Sequence, residues 1–344
     1  MGKRIFFLMI GIGCSYAFSQ KQYTVRTIAF YNVENLFDTE NDTLTFDDDR
    51  TPEGKDRWTK ERYHDKVGHI AKVLANIGRD LTGTSPDLIG LCEVENKQVI
   101  EDLISHPQLK QGNYGIIHFD SPDERGIDVA LLYRNESFLP TAFASRRLLL
   151  VGLEEERNYT RDQLVVSGLL DDDPVHIIVN HWPSRSGGEA LSQPNRIAAA
   201  RLNRRIIDSI QRMEIGAKII GMGDLNDDPT DASLKMVLKT KGDRNDLVAE
   251  DLFNPMEKLF RKGIGSLAYR DKWNLFDQIF LTGNLILAEG GQLRFWKAGV
   301  FKAPYLITAK GPYKGYPFRT YAGGNYIGGY SDHFPVYAYF LKEK

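Results

Sequence analysis

The chain has 344 residues, 42% of them apolar, enough to bury a large core as one large domain or two small ones. A formal net charge of −2 and a pI near 6.4 exclude a global positive field. They argue against tight non-specific binding of a polyanion, and leave room for an enzyme that neutralises one phosphate locally with a metal ion.

The first predicted element is a targeting segment. Lys3 and Arg4 precede the apolar run Ile5 to Gly13, and small and polar residues follow through Ala17-Phe18-Ser19-Gln20. The run is too short to span a bilayer, so residues 1–19 read as a cleaved signal peptide, with an uncleaved anchor as the alternative. Export to the periplasm or the medium is expected. Lipoprotein anchoring through Cys14 is the lesser alternative, since Gly11 stands where such signals usually carry Leu. After cleavage only Cys92 remains, so no internal disulfide is expected.

No tract of Pro, Gly or Ser long enough to be a linker appears between Tyr23 and Lys344, which predicts one domain over residues 20–344. Short apolar runs at 27–31, 87–92, 128–133, 175–180, 218–222, 277–281 and 336–341 have the length and the β-branched or aromatic content of buried strands. Between them, residues 60–77 carry apolar positions at helical spacing, 195–213 follow Pro194, and 232–238 follow the turn Asp227-Asp228-Pro229-Thr230. The alternation predicts an α/β class, with two sheets packed face to face and helices outside.

Polar residues at the ends of these strands need a reason, because burying a carboxylate or an amide without a partner costs several kcal/mol. Asn32 ends the first strand, and alone it reads as a turn former. Alternation places Glu93 on the face of Ile89 and Leu91, where a carboxylate calls for a cation, either an arginine or a metal. Glu95 reads as solvated or as a helix cap. In Gly223-Asp224-Leu225-Asn226 the glycine permits a tight turn, and the i, i+2 spacing aims Asp224 and Asn226 at one spot. Asp277 shares a strand face with Leu275, Ile279 and Leu281 and needs a partner. His333, after Ser331 and Asp332, supplies the matching imidazole for an oriented acid/base or phosphate-polarising dyad. Asn180-His181-Trp182-Pro183-Ser184-Arg185 offers a second imidazole and a cation. His64, His69, His106, His118 and His176 read as surface or packing residues.

Asn32, Glu93, His181, Asp224 with Asn226, Asp277, and Asp332 with His333 occur in the order and context of the deoxyribonuclease-I-like endonuclease/exonuclease/phosphatase superfamily, which the chain resembles from about Thr24 to Phe340. The resemblance implies a four-layer α/β/β/α sandwich of two packed mixed sheets and phosphoester hydrolysis with Mg²⁺, or Mn²⁺ as a substitute. It implies that Glu93 is the main metal ligand with Asn32 and Asp332 nearby. Asp224 would activate the attacking water, Asn226 would hold the phosphate, and His333, oriented by Asp277, would bind or polarise it. His181 resembles the additional histidine of the deoxyribonuclease-like branch, for which Asp128 is the candidate orienting acid. Mg²⁺ does favour a few carboxylate oxygens beside water and phosphate, and in-line attack needs charge neutralisation more than covalent help.

This architecture serves many substrates. A secreted endonuclease on DNA or RNA is the first expectation, a phosphodiesterase or phosphatase on a small or lipid-linked phosphoester the second, and a non-catalytic binding protein the third. A nuclease predicts a basic groove, for which Arg185, Arg196, Arg201, Arg204 and Arg205 are candidates. The Gly-, Pro- and Tyr-rich segment 311–326 predicts a substrate loop in which Arg319 grips a phosphate oxygen and Tyr321 or Tyr326 stacks on a base or sugar. A monomer is expected, with no obligate protein partner and no transmembrane span in the mature chain.

Overall fold

The structure is a computed structural model that describes residues 22–151 and 157–344; the expected leader and Cys14 lie outside the described residues. Its main strands are β1 (Tyr23–Leu36), β2 (Leu88–Val94), β3 (Tyr114–His118), β4 (Asp128–Arg134), β5 (Phe138–Arg146), β6 (Gln163–Leu170), β7 (Asp173–His181), β8 (Ile219–Asp224), β9 (Leu252–Phe253), β10 (Asp277–Thr282), β11 (Arg294–Val300) and β12 (Val336–Glu343). They form two six-stranded sheets, one in the order β11-β12-β1-β2-β4-β3 and the other β9-β10-β8-β7-β6-β5. Both are mixed: β1 runs parallel to β2 and β7 parallel to β8, and the remaining pairings are antiparallel.

The two-residue period of the strands decides what each face meets. Ile28 and Phe30, Leu88 and Cys92, Ile177 and Val179, Ile220 and Met222, and Ile279 and Leu281 form the core between the sheets. The alternate residues Ala29, Tyr31, Ile89 and Leu91 turn outward onto helices α1 (Lys60–Asn76) and α2 (Lys97–Ser105). Ile178, Ile219 and Phe280 turn outward under α3 (Glu189–Met213). The layers are therefore helix, sheet, sheet, helix. Among the described residues, no helix is long and apolar enough to cross a membrane.

The helices follow from local chemistry. In α1, Tyr63, Val67, Ile70, Ala71 and Leu74 make one buried stripe, and the helix stops before Gly78, which adopts the left-handed φ of 74°. Asn96 caps α2 by accepting the Val99 amide at 3.1 Å. The third helix begins at Glu189, ahead of Pro194, so the expected start after that proline is corrected. Ser192 Oγ donates to the Gly188 carbonyl and Arg196 Nη2 to that of Glu189, which binds the first turn together where Pro194 supplies no amide hydrogen. Residues 233–238 form a π-helical turn. The strands β3, β5, β6 and β11 were not among the apolar runs read from the sequence; β5 and β11 lie at sheet edges, where exposed positions dilute their apolar content.

Candidate active site

Parallel neighbours end at the same sheet edge, so β1 and β2 finish side by side in one sheet and β7 and β8 in the other. The register pairs Asp224 with both His181 and Asp277, and β12, which His333 precedes, starts opposite Phe30. Asn32, His181, Asp224 and Asp277 continue the inward alternation of the core residues before or after them. At this edge the core between the sheets turns from apolar to polar.

Glu93 reaches the site by a different route from the expected one. The β2–β4 register slips between Cys92 and Val94, Glu93 adopts φ 62°, and Val94 takes the place in the outward cluster that alternation would assign to position 93. The bulge re-aims the carboxylate toward the edge. There Glu93 Oε1 accepts from Asn32 Nδ2 at 3.2 Å and Oε2 from the Asn35 amide at 3.0 Å. Glu34, Asn35 and Asn226 are also left-handed, at φ 54°, 56° and 50°, an uncommon state for residues with side chains that concentrates at functional sites.

Asp224 stands at the centre. Its Oδ2 accepts from Asn32 Nδ2 at 3.0 Å and lies 3.8 Å from His181 Nε2 and 3.9 Å from His333 Nε2, while Oδ1 accepts the Asn226 amide at 3.0 Å. Burial, with Asp277 adding repulsion, pushes its carboxyl up to about 7. His333 Nδ1 lies 2.6 Å from Asp277 Oδ2. Burial opposes its protonation, but Asp277, Asp332 and Asp224 outweigh burial and hold the imidazole well above its ordinary range. His181 goes the other way: burial, with Arg161 and Arg125 nearby, holds it well below, so this ring is neutral. Asn226 Nδ2 donates to the Trp182 carbonyl at 3.0 Å.

Beside this centre is a charged network that the sequence did not announce. Arg319 Nη2 donates to Asp332 Oδ2 at 2.6 Å, and its Nε lies 3.8 Å from Glu34 Oε1. Glu34 Oε2 accepts the Thr320 amide at 2.7 Å and lies 3.7 Å from Lys66 Nζ. Lys66 is fully buried in α1 and donates to Thr320 Oγ1 and the Tyr330 carbonyl. Burial and Asp332 push Glu34 up to about 7, and burial pulls Lys66 down to about 8. A signal existed: Lys66 falls between Tyr63, Val67 and Ile70 on the apolar stripe of α1.

Several sequence expectations are corrected. The carboxylate of Asp128 does not orient His181: its oxygens are taken by His118 Nε2 at 3.0 Å and the Ser121 amide at 2.8 Å. Among the described residues, His181 Nδ1 has no hydrogen-bond partner. His118 is thus a buried partner of Asp128 rather than a packing residue. Arg185 is not a free cation. It pairs with Asp231 at 2.7 Å and Glu189 at 2.8 Å, lies over the Phe276 ring, and donates to the Asn226 carbonyl at 2.8 Å, so it props the catalytic loop. Arg196 is buried against Asp227, and Arg204 pairs with Asp208 on the outer helix, so neither lines a groove at the site. Tyr321 and Tyr326 pack on Trp58 and on each other, and their hydroxyls donate to the Asp56 carbonyl at 3.0 Å and Asp65 Oδ2 at 2.6 Å. They brace their hairpin on α1. Glu95 is no helix cap; it accepts the Asp38 amide.

The donor set fits a hard divalent cation. Glu93 Oε1 and Asp224 Oδ2 each stand 3.8 Å from His181 Nε2, too far for hydrogen bonds, with the Asn32 carboxamide between the two carboxylates. Asp277, Asp332 and Glu34 add further negative charge close by. Such oxygen-rich surroundings suit Mg²⁺ or Mn²⁺. A thiolate-seeking metal is not favoured, because burial pushes the nearby Cys92 thiol well above its ordinary range.

The comparisons agree with this fold. A model of the endonuclease/exonuclease/phosphatase family matches residues 27–342. No curated protein matches the chain. Among solved structures, an endonuclease/exonuclease/phosphatase family protein from Bacteroides thetaiotaomicron superposes with TM-score 0.56 at 16% identity, over 94% of this chain and 97% of that one. A humanized TDP2 from D. rerio superposes with TM-score 0.55 at 15% identity, over 92% and 99%. A mannosyl-6-phosphatase from Bacteroides thetaiotaomicron gives TM-score 0.54 at 17% identity, again over 92% and 99%. With nearly the whole described fold matched and the acidic edge in place, the chain belongs to the endonuclease/exonuclease/phosphatase family of metal-dependent phosphoric ester hydrolases.

Proposed function

We propose that this protein hydrolyses phosphodiester bonds of nucleic acid with Mg²⁺, or Mn²⁺ in its place, and that residues 20–344 act as one catalytic unit exported after loss of residues 1–19. The observation that carries the reading is the placement of Asp224 between the Asn32–Glu93 corner and the His333–Asp277 pair. Glu93, with Asn32 and Asp332 nearby, would hold the cation, which supplies charge neutralisation to the phosphoryl group. Asp224, with its carboxyl near neutrality, takes the proton of the attacking water. The His333 imidazolium, fixed by Asp277, donates to a phosphoryl oxygen from Nε2, and His181 faces the same space as a neutral ring. Asn226 holds Asp224 through its backbone amide, and the second hydrogen of its carboxamide serves a phosphoryl oxygen. A D. rerio TDP2 solved with a single-strand DNA product shares the fold, which supports a nucleic-acid substrate.

A second reading, a phosphomonoesterase on a sugar phosphate, is favoured by a cavity of about 750 Å³ whose wall includes Glu95, two residues after Glu93. Asp38, Glu40, Glu95, Asp120 and Asp123 are among the residues lining it, and such carboxylates suit sugar hydroxyls better than a polyanion. The test is turnover by the purified protein, with and without metal, on duplex DNA, single strands, RNA, sphingomyelin, simple phosphodiesters and hexose phosphates. Metal-dependent cleavage of a polynucleotide is expected. Turnover confined to the hexose phosphates selects the second reading.

A further inference from the structure

The two flanks of the site differ in charge. From Asp38 to Asp49 the chain carries six carboxylates and no basic residue, and this segment borders the acidic cavity that Glu95 lines, past the end of the strand that carries Glu93. From Gly290 to Ser331 it carries six basic residues and no acidic one, and this segment leads into Asp332 and His333. On that second flank lies a cavity of about 420 Å³, within the roughly 300–1,000 Å³ usual for small-ligand sites. Tyr269, Arg270, Tyr313, Tyr316, Arg319 and Asp332 contribute to its wall.

The cavity is built by two loops bolted together. Arg270 and Asp271 form the tip of the hairpin that pairs Tyr269 with Lys272, and both are left-handed, at φ 49° and 62°, as a tight two-residue hairpin turn requires. Tyr316, from the other loop, fixes that tip: its hydroxyl donates to Asp271 Oδ1 at 2.6 Å and accepts the Asp271 amide at 2.7 Å. Tyr316 in turn packs on Trp273, which stacks on Phe334 next to His333. The cavity is thereby held in register with the catalytic edge. Tyr269 and Tyr313 are 65% and 52% exposed, so their rings are accessible, and they come from opposite loops. Among the described residues, Arg270 pairs with no carboxylate and lies only over the Tyr269 ring.

We infer that this cavity receives the base of the nucleotide next to the scissile phosphate. Tyr269 or Tyr313 offers the stacking face, and Arg270 meets the following phosphate. The strand lies on this flank because the opposite one presents carboxylates to a polyanion. The inference rests on the nucleic-acid reading and names the subsite of that reading.

Two single-stranded oligomers of equal length test it, one carrying its bases and the other built of reduced abasic residues. The wild type should cleave the base-carrying strand with kcat/KM about tenfold above the abasic one, the scale of a stacking contact. The Tyr269→Ala/Tyr313→Ala double variant should cleave both within about twofold and keep wild-type turnover of the abasic strand. Tyr269→Phe/Tyr313→Phe should keep the preference, because the ring carries the contact. If the double variant fails to fold, Tyr269→Ala and Tyr313→Ala singly report the same ratio. A preference that survives loss of both rings, or a wild type that cleaves both strands equally, overturns the subsite and leaves the nuclease reading standing. A wild type that cleaves no polynucleotide, duplex, single-stranded or RNA, while hydrolysing another phosphoester removes the nuclease reading, and the subsite with it.

Discussion

His333 Nδ1 and Asp277 Oδ2 meet at 2.6 Å across 56 residues of chain, both buried at the edge where the two sheets meet. The acid fixes the ring so that Nε2 faces Asp224 at 3.9 Å. Asp277→Asn keeps the shape and removes the charge, so kcat should fall about 10- to 100-fold, the range of an orienting partner. His333→Ala removes the phosphate contact itself and should lower kcat about 1,000-fold. Steady-state kinetics on one substrate compare the two, and Asp277→Asn with wild-type kcat removes the pair from catalysis.

Glu93 sits on a bulge and accepts the Asn35 amide at 3.0 Å, a contact that a glutamine oxygen can keep. Glu93→Gln should therefore keep the fold, with unchanged circular dichroism, while activity drops at least about 100-fold. Calorimetric titration should show weaker Mg²⁺ binding in the same variant. Full turnover with wild-type Mg²⁺ affinity would remove Glu93 as the ligand.

The buried Lys66 neutralises Glu34 from below the Arg319–Asp332 pair. Lys66→Met leaves that carboxylate without its internal cation and should cost about 3–5 kcal/mol in urea unfolding. The Lys66→Met/Glu34→Gln double variant should recover a substantial part, and the cycle of singles and double measures the coupling. A Lys66→Met protein as stable as the wild type contradicts the network.

Asp173 tests electrostatics away from the site. Its carboxylate accepts from Lys218 at 2.6 Å, from the Leu293 amide at 3.0 Å and from Lys342, tying the start of β7 to β8 and β12. Burial opposes ionisation, but these bonds outweigh it and lower the carboxyl below its ordinary range. A depressed folded-state value contributes stability that is complete above the unfolded value, about 3.9, and is lost as pH falls through the folded one. The stability gap between wild type and Asp173→Asn should be widest at neutral pH and shrink below about pH 4. A gap that stays constant from neutral to acid pH contradicts the assignment.

Local chemistry made part of this molecule legible. Strands such as Ile219–Asp224 declare themselves by unbroken burial, and their period of two tells which end residue continues the core face, which is why Asp224 and Asp277 stand out as polar groups where apolar ones belong. Asp277 and His333 were likewise readable as partners, because a buried acid and a buried imidazole each need one. What the sequence could not carry is any relation set by sheet order or by a break in the period. Glu93 reaches the edge only because a bulge cancels the alternation that would have sent it outward. Asp128 meets His118 because β3 pairs with β4, and Arg185 is consumed by acids more than 40 residues on. Tyr321 and Tyr326 turn to α1 while Tyr269 and Tyr313 face the cavity, a choice fixed by which loops dock on which helix. Side-chain type and local period determine which groups need partners; only long-range packing decides which partner each one gets.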